Sequence, residues 1–123
     1  MEIRALHHVQ LAMPKGGEDT ARGFYQGLLG LVEVKKPPIL AKRGGVWFER
    51  GPVRVHLGVE DEFRAAKKAH PAFEVAGLEK LFVRLQAAGV EIRRDENLPE
   101  FARGYVSDPF GNRIELLDPM IKG

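Results

Sequence analysis

Apolar positions along the first half of the chain change period several times, and each change marks an element. From Leu6 to Met13 they alternate, with Leu6, His8, Gln10 and Ala12 on one face and His7, Val9, Leu11 and Met13 on the other, which predicts a strand. Pro14-Lys15-Gly16-Gly17 breaks that run, and Glu18-Asp19-Thr20 supplies helix-start residues. Phe24 with Leu28, and Tyr25 with Leu29, are spaced as an amphipathic helix requires, and Gly30 can close the helix in the left-handed conformation. Three short β segments follow: Leu31 to Lys35, Val46 to Arg50 and Val53 to Val59. Pro37-Pro38, Gly44-Gly45 and Gly51-Pro52 punctuate them.

The second half runs the same course. His70 to Ala76 predicts a strand, and Leu78, Leu81, Phe82 and Leu85 fall on one face of a helix that Gly89 ends. Val90 to Arg93, Gly104 to Ser107 and Arg113 to Leu117 complete three more strands, and the charged, alanine-containing stretch Asp61 to Lys68 reads as a connector. Arg54-Val55-His56-Leu57 aligns with Arg113-Ile114-Glu115-Leu116 at an offset of 59, the offset that also relates Gly30 to Gly89; His8 and His70 pair at 62. The predicted class is α+β: two βαβββ repeats, about 4–59 and about 69–118, in a single domain over 1–123, with the helices outside. A repeat of this size buries too little surface alone, so the halves are expected to pack on each other, within one chain or by exchange across a homodimer.

Composition narrows the function classes. A hydrophobic share of 44% and a charged share of 29% are ordinary for a globular domain. No apolar run reaches eighteen residues, so no membrane span is expected, and Met1-Glu2-Ile3-Arg4 lacks a secretory apolar stretch, which points to the cytoplasm. A net charge of +2, with basic residues scattered among acidic ones, gives no nucleic-acid footprint. With no cysteine, any metal must be held by histidine, carboxylate and water.

The repeat places the candidate ligands. His8 and His70 occupy the first strands of the two halves, and His56 and Glu115 occupy equivalent positions in the last. A pseudo-two-fold relation would bring these four to a common centre, as a divalent cation (Zn, Ni, Mn or Fe) needs. His7 is placed on the opposite strand face by alternation. Gln10 shares the face of His8, and Arg54 and Arg113 precede His56 and Glu115 by two positions, so each points to the side of its neighbour as a candidate substrate contact or as an exposed rim. Trp47, a large aromatic in a strand, reads first as core and second as pocket lining.

Leu6-His7-His8-Val9-Gln10-Leu11-Ala12 and Asp108-Pro109-Phe110-Gly111-Asn112-Arg113-Ile114-Glu115-Leu116 resemble the opening strand and closing hairpin of the vicinal-oxygen-chelate (glyoxalase-like) superfamily. His70-Pro71-Ala72-Phe73-Glu74-Val75 is similar to the strand carrying that family's second histidine. The resemblance implies a glyoxalase-like cleft or half-open barrel, with His8, His70 and Glu115 as metal ligands and His56 where glyoxalase I enzymes carry a glutamate. Asp108-Pro109 and Gly111 also form a turn on local grounds, so the functional weight falls on Glu115 as both ligand and catalytic group. Tyr105 resembles a substrate-contacting tyrosine of fosfomycin-resistance transferases, although Gln10 stands where those enzymes carry threonine.

Three imidazoles and a carboxylate leave positions of an octahedral ion open and a net charge near +1, suited to an oxygen ligand that becomes anionic. The implied function is a metal-dependent lyase or isomerase acting on a small oxygenated molecule through an enolate-type or oxyanion intermediate. Two alternatives are a protein that sequesters a ligand without chemistry and an iron-dependent extradiol-type dioxygenase.

Overall fold

The alternating apolar positions of the first half form one mixed sheet. The computed structural model describes residues 1–96 and 102–119, which divide into two units, Met1–Arg64 and Ala65 onward. In the first unit, β1 (Val9–Met13), β2 (Val32–Val34), β3 (Val46–Arg50) and β4 (Val53–Val59) are arranged in the order β1-β4-β3-β2. β1 is parallel to β4, and the remaining neighbours are antiparallel. Leu11, Met13, Val46, Phe48, Val55 and Leu57 are buried on one face together with Ala21, Phe24 and Tyr25 of the helical segment. The rings of Tyr25 and Phe48 lie 5.6 Å apart across that layer.

That helical segment departs from the expected α-helix. A short α1 (Glu18–Ala21) runs into a π-helical stretch, Arg22–Leu28, where the Leu29 amide donates to the Phe24 carbonyl five residues back at 2.9 Å. Gly23 and Gly27 both weaken the α-helical preference here. The wider turn keeps Phe24 and Tyr25 buried and leaves Leu28 and Leu29, expected beneath them, only half-buried. A one-turn α2 (Pro38–Ala41) also forms where the sequence showed only proline punctuation. Pro38 fits there because the first turn needs no amide donor from it.

The second unit repeats the plan. β5 (Ala72–Glu74), β6 (Arg93–Arg94), β7 (Ala102–Ser107) and β8 (Arg113–Asp118) take the order β5-β8-β7-β6, with β5 parallel to β8. Among the described residues the chain therefore has eight strands in two mixed sheets, the α+β plan expected from the repeat. α3 (Leu78–Ala87) buries Leu78, Phe82 and Leu85, while Leu81 is half-buried. Burial of the Phe82 ring contributes roughly 2–3 kcal/mol. Gly104 of β7 admits that ring: a Cβ at Gly104 would lie 3.1 Å from Phe82 Cζ and 3.2 Å from the Arg93 carbonyl oxygen. Val106, Ile114 and Leu116 are buried on the same sheet.

The closing hairpin is a structural clamp. The Asp108 Oδ1 atom accepts the amides of Phe110 and Asn112 at 2.9 Å each, and Asn112 Nδ2 donates to Asp108 Oδ2 at 3.0 Å. Asn112 Oδ1 accepts the Ala66 amide at 3.0 Å, and the Arg113 amide donates to the Ala66 carbonyl at 2.9 Å. The hairpin thereby ties the connector to β8 and fixes where Glu115 emerges two residues later. No helix among the described residues is long and apolar enough to cross a membrane.

Several strands are shorter than expected. β1 begins at Val9 rather than Leu6, so His7 and His8 lie in the approach to the strand. β5 covers Ala72–Glu74 rather than His70 to Ala76, since Pro71 has no amide to add to the ladder. β6 holds only Arg93–Arg94, where Val90 to Arg93 was expected.

Candidate functional site

Each sheet turns one face to its helix and presents a row of polar and aromatic side chains on the other. Across the first sheet the register aligns Gln10, His56, Trp47 and Val34. Across the second it aligns Ala72, Glu115, Tyr105 and Arg93. His8 precedes Gln10 by two positions and His70 precedes Ala72 by two, so the two histidine–partner pairs occupy the same place in each sheet.

In the first unit these positions form an aromatic stack. His56, 6% exposed, lies between His8 (ring centroids 4.2 Å, planes 19° apart) and Trp47 (4.0 Å, 5°). Burial, and next the nearby His8, hold the His56 imidazole below the usual histidine range, so it is neutral near pH 7. A neutral imidazole is the form that ligates a metal. Trp47 is thus on the site face, in contrast to its first reading as core. His7 is not displaced to an opposite face either: its Nδ1 lies 3.0 Å from His8 Nδ1, because strict alternation does not apply before β1 begins. Arg54 Nη1 donates to the His7 carbonyl at 3.2 Å. The Gln10 side chain lies over Gly58, where a Cβ would sit 2.7 Å from Gln10 Nε2.

In the second unit the same positions form an ionic network. His70 Nδ1 lies 2.8 Å from the Lys68 carbonyl oxygen, and His70 Nε2 lies 3.0 Å from Glu115 Oε1. With Nδ1–H donating to the Lys68 carbonyl, Nε2 is the ring nitrogen turned toward Glu115. Glu115 Oε2 accepts Arg103 Nη1 at 3.0 Å, and Arg103 Nη2 donates to Asp95 Oδ2 at 2.8 Å. The Arg113 guanidinium lies 5.5 Å from the centre of the Tyr105 ring, and that of Arg103 lies 5.8 Å from it. Tyr105 also meets His70 edge to face, with ring centroids 5.5 Å apart.

The structure therefore brings the four sequence-identified ligands together as two pairs, one in each unit. Among the described residues no group of three or more His, Asp or Glu gathers closely enough to hold a metal. The second pair nevertheless has suitable spacing: two donors bound at about 2.1 Å and roughly at right angles lie about 3 Å apart. Imidazole nitrogen with one carboxylate oxygen is also a donor chemistry that divalent first-row ions accept. His70 and Glu115 thus supply two donors of the kind such an ion takes. Sequence reasoning missed Arg103 and Asp95. Arg103 stands two positions before Tyr105 and so shares its face, a spacing that was readable, but its partner Asp95 comes from outside any predicted strand.

Residues 5–116 match the Glyoxalase/Bleomycin resistance protein/Dioxygenase superfamily, and the chain belongs to that superfamily. A protein assigned to the glyoxalase family from Bacillus anthracis is 46% identical, with 96% of this chain and 97% of that chain covered and a TM-score of 0.92. The fold is shared with two more distant structures. The fosfomycin resistance protein FosX from Listeria monocytogenes is 20% identical, with 95% and 94% covered and a TM-score of 0.74. Lactoylglutathione lyase from Agrobacterium tumefaciens is 20% identical, with 96% of each chain covered and a TM-score of 0.74. No curated protein matches the chain significantly.

Proposed function

We propose that this chain is a divalent-metal-dependent enzyme, a lyase or isomerase in character, acting on a small oxygenated molecule on which negative charge builds at oxygen. The observation that carries the reading is the duplicated placement of metal-competent pairs: His8 beside His56 in one unit, His70 beside Glu115 at 3.0 Å in the other. His8, His70 and Glu115 would hold the ion, with His56 as a fourth candidate. When bound, a Zn, Ni, Mn or Fe ion supplies a Lewis acid for adjacent substrate oxygens.

The chain's own groups have separable parts to play. The His70 Nδ1 contact with the Lys68 carbonyl orients the ring so that Nε2 faces the site. Glu115, 9% exposed, brings the one carboxylate of the set and is the candidate catalytic group. Gln10, Arg54, Tyr105 and Arg113 lie on the same sheet faces and are assigned to the substrate, the arginines to an anionic group on it. We take residues 1–123 as one functional domain working as a homodimer; its cysteine-free composition suits the cytoplasm.

The test is metal binding. Protein stripped with chelator and reloaded separately with Zn, Ni, Mn and Fe(II) should retain roughly one ion per chain of at least one metal, and His8→Ala should weaken that binding tenfold or more. Wild-type protein that binds none of the four better than His8→Ala would refute the assignment. A second reading, ligand sequestration without chemistry, is favoured by one feature: both oxygens of Glu115 already have partners in His70 and Arg103. It predicts ligand binding unaffected by chelator.

A further inference from the structure

The two units differ at the residue two positions before the Trp47/Tyr105 pair. In the first unit Gly45 stands there, just before β3, and its amide donates to Glu18 Oε2 at 2.7 Å. In the second sheet the position is Arg103, whose side chain is 12% exposed, as is that of Glu115; that of Asp95 is 18% exposed. Only the half that carries the carboxylate thus carries a guanidinium to meet it. The arginine is held from behind by Asp95 through Nη2 and reaches Glu115 Oε2 through Nη1. Its Nε is buried with no hydrogen-bond partner among the described residues.

A glutamate left to itself can bind a cation through one oxygen or both. Here the two oxygens are not equivalent. Oε2 is committed to Arg103, and Oε1 points to His70 Nε2, the nitrogen proposed as a ligand. We propose that Arg103 is a positioning residue: by occupying Oε2 from its anchor on Asp95, it reserves Oε1 of Glu115 for the ion and enforces one-oxygen ligation. The inference rests on the metal-dependent reading above.

Lysine at this position keeps the charge but cannot donate to Asp95 and Glu115 from separate nitrogens of a planar fork. Wild type, Arg103→Lys and Asp95→Asn, each shown folded by thermal melting, would be loaded with Co(II) and followed by visible absorption and competition with a chelator. Arg103→Lys should bind Co(II) about tenfold more weakly, and its bands should weaken and shift as the second carboxylate oxygen joins the ion. Asp95→Asn, which leaves the arginine in place but unanchored, should shift in the same direction to a smaller extent. Unchanged affinity and spectra in both variants, with wild type binding Co(II) normally, would overturn the role of Arg103 and leave the metal reading intact. Wild type binding no Co(II), Zn, Ni, Mn or Fe(II) would overturn both.

Discussion

Replacing Glu115 with glutamine tests whether the ionic network of the second sheet contributes to stability as well as to chemistry. The substitution preserves length and shape and removes one charge. Exposed ion pairs contribute about 0–1 kcal/mol, whereas breaking a buried one costs about 3–5 kcal/mol. The Glu115 and Arg103 side chains are each 12% exposed, so most of the pair is covered by protein. Arg103 keeps Asp95 at 2.8 Å, so its charge is not orphaned and the buried figure must be discounted. The expected loss for Glu115→Gln in chelator-treated protein at pH 7 is therefore about 2 kcal/mol. With an unfolding entropy of about 2.1 cal/mol/K per residue, that is a fall in Tm of about 8 °C. Urea denaturation and calorimetry would both measure it, with Glu74→Gln on the exposed surface of β5 as control, expected within about 0.5 kcal/mol of wild type. A loss below about 0.5 kcal/mol for Glu115→Gln would refute the argument that this network is shielded from water.

Two further outcomes follow from single contacts. His56 has a depressed folded-state pKa, so the folded protein binds this proton less readily than the unfolded chain. The stability it confers is present above about pH 6.5 and is lost as pH falls through its folded value, and denaturation curves from pH 7.5 to 5 should show a shallower loss in His56→Gln. Asn112→Ala removes the bonds to Asp108 and to the Ala66 amide at a residue 1% exposed, and should cost about 2–4 kcal/mol in urea unfolding; a cost below about 1 kcal/mol would mean that the hairpin does not depend on it.

How far the chain could be read without coordinates varied with the kind of signal. Strands β3 and β4 were legible to the residue because alternation is local and Gly44-Gly45 and Gly51-Pro52 bound them. The duplication was legible too, since Arg54-Val55-His56-Leu57 and Arg113-Ile114-Glu115-Leu116 keep their spacing, and the register then places His56 and Glu115 alike. The π-helical turn was not, because the Phe24/Leu28 and Tyr25/Leu29 spacing fits an α-helix, and the bond from the Leu29 amide back to the Phe24 carbonyl leaves no mark on that spacing. Trp47 was misplaced for a related reason: hydrophobicity says that a ring is covered, and only strand register says by which face. Arg103 escaped notice because its meaning lies in Asp95 and Glu115, one of them outside any periodic segment.

Trp47 is the only indole in the chain and lies flat against His56. Its emission therefore originates at the candidate site, free of background from any other indole. Ions, inhibitors and trial substrates can be titrated against the unlabelled protein by light alone, so a search for what it recognises can begin before any turnover assay exists.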